Sequence, residues 1–237
     1  PDSCGVQVGD RVAINPDLWD GKCPNCISGQ DHLCDQWELI GETVHGTYAQ
    51  YIAVPWRNLI TIPNDISFET AAASSMIYLT AWHSLITRGK LVAGESVLVV
   101  GAGGGVNSAC IQIARMAGAK VYVVGSSTKK LEHAERLGAD VLINRSTEDW
   151  SKAVFRLTRR KGVDVVIDNV GAETFFHSIR SARKGGRILT VGNTSGPKFE
   201  IDNRYLFGKH LTIIGSSMGP HTDFITVMRL VFTGKLT

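Results

Sequence analysis

The chain has 237 residues, of which 43% are hydrophobic and 20% charged, with a formal net charge of +3. That balance suits one large or two ordinary domains with real cores and excludes an intrinsically disordered chain. No basic block stands out, so nothing asks for nucleic acid or an anionic membrane surface.

In chain order, residues 1 to about 66 read as β material with a loop-rich insertion at residues 15–45. Short strand-like runs occur at residues 10–14 (DRVAI), 47–54 (TYAQYIAV) and 58–62 (NLITI). The second alternates crudely between apolar and polar residues, and Pro55 and Pro63 punctuate the end. The chain opens on Pro1 with no methionine and no charged-plus-apolar leader, so no signal peptide is expected and an upstream part is expected to be absent. Residues 71–86, AAASSMIYLTAWHSLI, are apolar, but the run is too short for a membrane span and carries Ser, Thr and His. It predicts a buried helix.

The insertion contains DGKCPNCISGQDHLC, residues 20–34. Two residues separate Cys23 from Cys26, and seven separate Cys26 from Cys34. Three thiolates in so short a loop fit a tetrahedral Zn²⁺ site that lacks one ligand. Asp20 continues the same three-residue step and is the candidate fourth ligand, with His32 the runner-up and Asp31 and Asp35 nearby. Two other readings stay open. CPNC could be a disulfide or redox dithiol, although such motifs normally sit between a strand and a helix N-terminus, or the thiols could be unligated. A site closed by four protein ligands is structural rather than catalytic. Of the five cysteines, Cys4 and Cys110 stand alone and receive no role. This usage fits a reducing cytoplasm better than a secreted disulfide scaffold.

From about residue 91 the texture becomes regular. Six short Val- and Ile-rich runs lie at 97–100, 121–124, 141–143, 165–167, 188–191 and 212–214. They show little alternation, as expected of strands buried on both faces. Helical patterns fill the gaps: Cys110, Ile113, Ala114 and Ala117 before Gly118, then Leu131, Ala134 and Leu137 before Gly138, then Trp150, Val154 and Leu157 before Gly162. Strand–helix alternation of this kind predicts an α/β fold with a parallel sheet wrapped by helices.

Between the first of these strands and its helix lies GAGGGVN, residues 101–107. Gly101, Gly103, Gly104 and Gly105, with Val106, would let the backbone approach a pyrophosphate, and the helix start offers free N–H groups and a positive dipole end. The setting of strand, glycine turn and helix makes the pattern strong evidence for a dinucleotide, the other reading being a tight turn with no ligand. An acid at the end of the second strand would bind a ribose 2′-hydroxyl and select NAD. The chain instead has Gly125, Ser126, Ser127, Thr128, Lys129 and Lys130, which suits a 2′-phosphate and favours NADP over NAD; Ser126, Ser127 and Lys130 are the candidate contacts.

With both motifs placed, essentially the whole chain resembles the medium-chain dehydrogenase/reductase superfamily, the relatives of zinc alcohol dehydrogenases and quinone oxidoreductases. VGDRV, HGTYAQYIAVP, AAASSMIYLTAWHSL, VLVVGAGGGVNSACIQIARMAGAKV, GVDVVIDNVG, GGRILTVGNTSG and LTIIGSSMG carry the likeness. The resemblance implies a partial GroES-like β domain over residues 1–77 with a structural zinc lobe. A Rossmann doubly wound six-stranded sheet would cover 78–237, with a possible return to the first domain after about 219. The family's lobe has four cysteines in steps of three, three and eight, which places Asp20, Cys23, Cys26 and Cys34 as its ligands. By the same resemblance a cofactor would also touch Thr80, Asn169, Val170, Val191, Gly192 and Asn193. Asn107 replaces the family's last loop glycine, and asparagine tolerates unusual backbone angles.

Met76 stands where zinc-dependent relatives have a cysteine ligand of catalytic zinc, and a thioether is a poor Zn²⁺ ligand. The resemblance therefore implies an NADP(H)-dependent oxidoreductase that acts on an activated alkene, quinone or carbonyl without catalytic zinc. A zinc-dependent alcohol dehydrogenase is the alternative, and a low-turnover, nucleotide-binding redox-responsive interaction protein is a third reading. Glu42, Thr43 and His45 fall where the family places residues near its substrate pocket, but no catalytic residue is assigned. A small-molecule substrate, no nucleic acid and no membrane, a homodimer or homotetramer paired through the sixth strand, and a cytoplasmic location complete the expectation.

Overall fold

The computed structural model describes residues 5–237, so Cys4 lies outside it. The chain divides into two compact units. One takes the chain as far as Thr80 and again from Met218 to Thr237; the other is continuous from Ala81 to Ser217.

The first unit begins with β1 (Val12–Ile14), followed by β2 (Asp17–Leu18), α1 (Pro24–Ile27), β3 (Glu38–Leu39), β4 (Leu59–Thr61) and the start of α2 (Phe68–Trp82). Strands β1 and β4 pair antiparallel, with Ala13 opposite Ile60, and β2 pairs antiparallel with β3. The run at 47–54 is not a strand. It pairs with nothing among the described residues, and Tyr48 and Tyr51 stand almost fully exposed. Alternation supplies side-chain pattern but no hydrogen-bonding partner, and a strand needs both.

The buried centre of this unit includes several polar groups. Asn58 Nδ2 donates to the carbonyls of Asn15 and Asp17 at 2.8 and 2.5 Å. Asp31 accepts the backbone N–H of His221 at 2.8 Å, which docks the first helix after Met218. Tyr78 donates to the Thr237 carbonyl at 2.6 Å. Asp17 is fully buried, and neither carboxylate oxygen reaches a hydrogen-bond partner of good geometry among the described residues. Burial pushes its carboxyl up to about 7, with the approach of the Trp37 indole working against the rise and the charge of Asp31 adding to it.

The second unit supplies the larger sheet. In chain order it holds β5 (Ser96–Val100), α3 (Gly105–Met116), β6 (Lys120–Gly125), α4 (Thr128–Arg136), β7 (Val141–Asn144) and α5 (Trp150–Leu157). These are followed by β8 (Val163–Asp168), α6 (Phe175–Ser181), β9 (Ala182–Thr190), α7 (Asn203–Lys209) and β10 (Thr212–Gly215). Helix α8 (His221–Phe232) returns to the first unit. The spatial order is β10-β9-β8-β5-β6-β7, and every pairing is parallel. That is the doubly wound Rossmann sheet, whose order reverses between β5 and β8. Leu98, Val100, Tyr122, Val166, Phe175 and Ile188 belong to one buried cluster, the reason these strands read as unbroken apolar runs. Cys110 sits fully buried on α3, where burial pushes its thiol up to about 12; it is packing. The helix predicted from residue 71 is present, but its last turn widens to a π-helix at His83–Arg88. Among the described residues no helix is long and apolar enough to cross a membrane.

The raised Asp17 pKa gives a stability profile with a definite sign. Protonation is favoured in the fold, so the contribution is fully present below the ordinary carboxylate pKa and is lost as pH rises from about 4 to about 7. In thermal melts, Asp17→Asn is expected to gain relative to the parent across that window and to run parallel to it above pH 7.5.

Candidate functional site

Where the sheet order reverses, the ends of β5, β6, β8 and β9 surround a cavity of about 690 Å³. Gly101, Gly103, Gly104, Gly105 and Val106 form one wall; Ser126 and Lys130, Asn169 and Val170, and Val191 and Gly192 line the rest. Thr80, Ser127 and Asn193 are not among the lining residues. Thr80 lies in the first unit and donates to the Met76 carbonyl at 2.8 Å, Ser127 is the N-cap of α4, and Asn193 accepts the Gly196 N–H at 2.8 Å.

The glycines are fixed by what surrounds them. Gly101 adopts φ +109°, and a Cβ there would fall 2.8 Å from Asn107 Nδ2. The stem of Lys130 lies over Gly103, while nothing stands within 4 Å of where a Gly104 Cβ would project. The loop therefore presents bare backbone ahead of the α3 N-terminus, a place where N–H groups could meet an anion.

Asn107 does not use an unusual backbone angle. It lies within α3 and its φ is not positive. Its side chain explains it: Nδ2 donates to the carbonyls of Val100 and Gly101 at 2.9 and 2.8 Å, and Oδ1 accepts from Asn169 Nδ2 at 2.8 Å. Asn169 Oδ1 in turn accepts the Val191 N–H at 3.1 Å. Beneath this chain sits Asp168, completely buried at the end of β8. Its carboxylate accepts from the backbone N–H groups of Val170 and Gly171 and from the hydroxyls of Thr174 and Ser178, at 2.6 to 3.1 Å. Four donors compensate a carboxylate removed from water and fix the loop after β8.

Sequence reasoning missed Arg145, Glu173, Thr174, Thr194 and Ser195, all of which line the cavity. Arg145 is the first residue after β7, and its N–H donates to the Gly125 carbonyl at 2.9 Å. Because Gly125 faces Asn144 in the sheet, Arg145 arrives beside Ser126. Knowing the strand order would have found it. Two cations, Lys130 and Arg145, thus serve the β6 side of the cavity, and the only carboxylate in the lining is Glu173, after β8.

In the first unit, Asp20, Cys23, Cys26 and Cys34 converge, each with a ligand atom within 4.8 Å of the others. Pro24 starts α1 and Cys23 caps it, turning both thiols of the pair to one side; their sulfurs are 3.4 Å apart, and the cysteines are free. Backbone N–H groups of Asp20 and Gln36 point at Cys34 Sγ. Asp20 Oδ1 takes the N–H groups of Lys22 and Cys23, which hold its carboxyl well below the usual range. Partial burial, then Cys23 and Asp20, push Cys26 up to about 12. One carboxylate and three thiols converging in this way suit a tetrahedral Zn²⁺. Asp31, His32 and Asp35 are outside this cluster. Met76 is 41% exposed on α2, and of the residues at 42–45 Thr43 bonds back to Leu39 while Glu42 and His45 are exposed.

A family model described as zinc-binding dehydrogenase matches residues 105–233, and one described as alcohol dehydrogenase GroES-like domain matches residues 1–64. An NAD-dependent alcohol dehydrogenase of Saccharolobus solfataricus is 32% identical over 98% of this chain and 67% of its own length. A crystal structure of an NAD-dependent alcohol dehydrogenase superposes with a TM-score of 0.93 at 41% identity, covering 98% of this chain and 68% of that one. A 2-octenoyl-CoA carboxylase reductase, solved with NADP and 2-octenoyl-CoA, superposes with a TM-score of 0.88 at 30% identity, over 97% and 56% of the two chains. The chain thus spans about two thirds of the length of the dehydrogenases it matches.

Removing the Asn107 amide strips a donor from two carbonyls and an acceptor from Asn169. Asn107→Ala is expected to cost about 2–4 kcal/mol in urea unfolding, well above an exposed polar-to-Ala change measured alongside it.

Proposed function

The chain belongs to the medium-chain dehydrogenase/reductase superfamily of oxidoreductases, and on that premise we propose that it binds NADP(H) and transfers hydride to or from an activated alkene, quinone or carbonyl. The observation that carries the cofactor choice is the pair Lys130 and Arg145 beside Ser126, with no carboxylate on that side of the cavity. A guanidinium and an ammonium match a 2′-phosphate, whereas a 2′-hydroxyl is normally met by an acid.

Bare backbone at Gly103 and Gly104 and the α3 N-terminus would hold the pyrophosphate. Val170, Val191 and Gly192, after β8 and β9, would line the nicotinamide end. The nicotinamide, when bound, supplies or accepts the hydride. The chain's own part is to orient it: the Asn107–Asn169–Val191 bonds hold the loop ends still, and Asp168 keeps Val170 and Gly171 in place. Asp20, Cys23, Cys26 and Cys34 would hold a structural zinc, closed by four protein ligands and so without a position for substrate.

Catalytic zinc is not part of this reading, because Met76 offers an uncharged thioether where a thiolate would be needed. An activated double bond or quinone needs no Lewis acid, since it is already polarised. The second reading is a zinc- and NAD-dependent alcohol dehydrogenase, favoured by the names of the relatives from Saccharolobus solfataricus and of the 41% identical structure. Assembly as a homodimer or homotetramer through β10, which among the described residues has a strand neighbour on one side only, completes the proposal.

Two measurements test it. Arg145→Gln is expected to raise the KM for NADPH about tenfold, the loss of one charge-assisted contact worth roughly 1.5 kcal/mol, while the KM for NADH stays within twofold. A parent that prefers NADH sinks the cofactor choice. Metal analysis of the purified protein after removal of loosely held ions is expected to return one zinc per chain; two per chain would favour the alcohol dehydrogenase reading.

A further inference from the structure

Residues of α5, α6 and α7 and of the turn after α5 line a second, open cavity of about 570 Å³, a volume ordinary for a small-molecule site. Its lining carries five cations, Lys152, Arg156, Arg160, Arg180 and Lys209. The carboxylates paired with them among the described residues are two. Asp149 lies 3.7 Å from Lys152 Nζ and 4.0 Å from Arg180, and Glu148 lies 3.0 Å from Arg156. Of the five cations, Arg160 and Lys209 have no carboxylate within reach among the described residues, and the other three share two.

A solvated surface would account for exposed Lys152 and Arg156, but not for Lys209. Its ammonium is drawn in from α7 to the C-terminal carbonyls of α6, donating to Ile179 and Arg180 at 3.0 Å each. Burial, then the charge of Arg180, lower its pKa. Two carbonyls at the end of α6, rather than a carboxylate, hold this half-buried ammonium, and it adds its charge to the lining. Arg160 is equally placed by the backbone. The α5 C-terminus folds back in the left-handed region, with Arg160 at φ +65° and its N–H on the Phe155 carbonyl at 2.7 Å. This sets the guanidinium 6.0 Å from the Phe155 ring centroid. Phe155, 40% exposed, and Tyr205 are the aromatic lining.

We propose that this cavity binds a nucleoside polyphosphate, with the phosphates on the guanidinium and ammonium groups and the base against Phe155 and Tyr205. Several separate cations call for more than one phosphate, and arginine forks are suited to them. Phe155, exposed beside the Arg160 guanidinium, is a platform for a planar base, and the half-buried Tyr205, edge-on to Phe176, borders it. Neither feature is explained by hydride transfer, and the site belongs wholly to the second unit.

Phe155→Trp places a reporter in the cavity. Its emission, corrected for the parent's, is followed as ATP is added with NADP⁺ at saturation and again without it. A saturable change with the same midpoint in both titrations is expected. Arg156→Gln with Arg160→Gln, added to the reporter chain, is expected to weaken ATP at least tenfold with the melting temperature unchanged, since both side chains are exposed. Tripolyphosphate, which has no base, is expected to bind at least tenfold more weakly than ATP. Calorimetry on the unsubstituted chain with NADP⁺ saturating is expected to return the same affinity, and it decides the matter if the reporter itself disturbs the site. No saturable binding by calorimetry, an affinity untouched by the paired substitution, or tripolyphosphate equal to ATP overturns the proposal.

Discussion

The side-chain amide of Asn107 is the joint on which the glycine cavity depends. Its nitrogen satisfies two carbonyls at the end of β5, and its oxygen reaches Asn169, whose own oxygen receives the N–H of Val191. Three neighbouring strand ends are thereby tied through two amides, each using both its donor and its acceptor side. Asparagine suits this work because one planar head carries an acceptor oxygen and a two-hydrogen donor side by side. Gly101 follows from the same requirement, since its missing side chain is what lets the Asn107 amide approach so closely. The loop glycines and the asparagine are one device.

Crowded charge of one sign marks each of the places proposed here as a ligand site. At Asp20, Cys23, Cys26 and Cys34 one carboxylate and three thiols converge, a donor set that suits a cation. Around Lys130 and Arg145, and around Arg160 and Lys209, cations are gathered by backbone geometry with few carboxylates to answer them. Asp168 shows the other solution. It is as buried as any group in the chain, yet two backbone N–H groups and two hydroxyls satisfy it internally, so it organises a loop and asks for no partner.

The sheet was legible because burial on both faces leaves strands with an unmistakable Val- and Ile-rich signature, and the turn glycines after α3 and α4 mark real helix ends, at φ +79° and +105°. The run at 47–54 misled because alternation reports on faces and is silent about pairing. Asn107 was noticed for its identity but explained by backbone freedom, when the reason is side-chain hydrogen bonding across 62 residues of sequence. Arg145 escaped for a related cause: its place beside Ser126 comes from the pairing of β6 with β7, which no local pattern encodes.

The two units also differ in how the ribosome delivers them. The sheet-bearing unit is a single stretch, from Ala81 to Ser217, and all its strands have emerged once that stretch is made. The other unit is split. Asp31 must wait 190 residues for the N–H of His221, and Tyr78 must wait 159 for the carbonyl of Thr237. During synthesis the nested unit can close first, while the lobe around Asp20 and its neighbours lacks the α8 contacts until residues 218–237 have emerged. Capture of a metal ion by that lobe would supply an early anchor, one that holds residues 20–34 together long before their distant partners arrive.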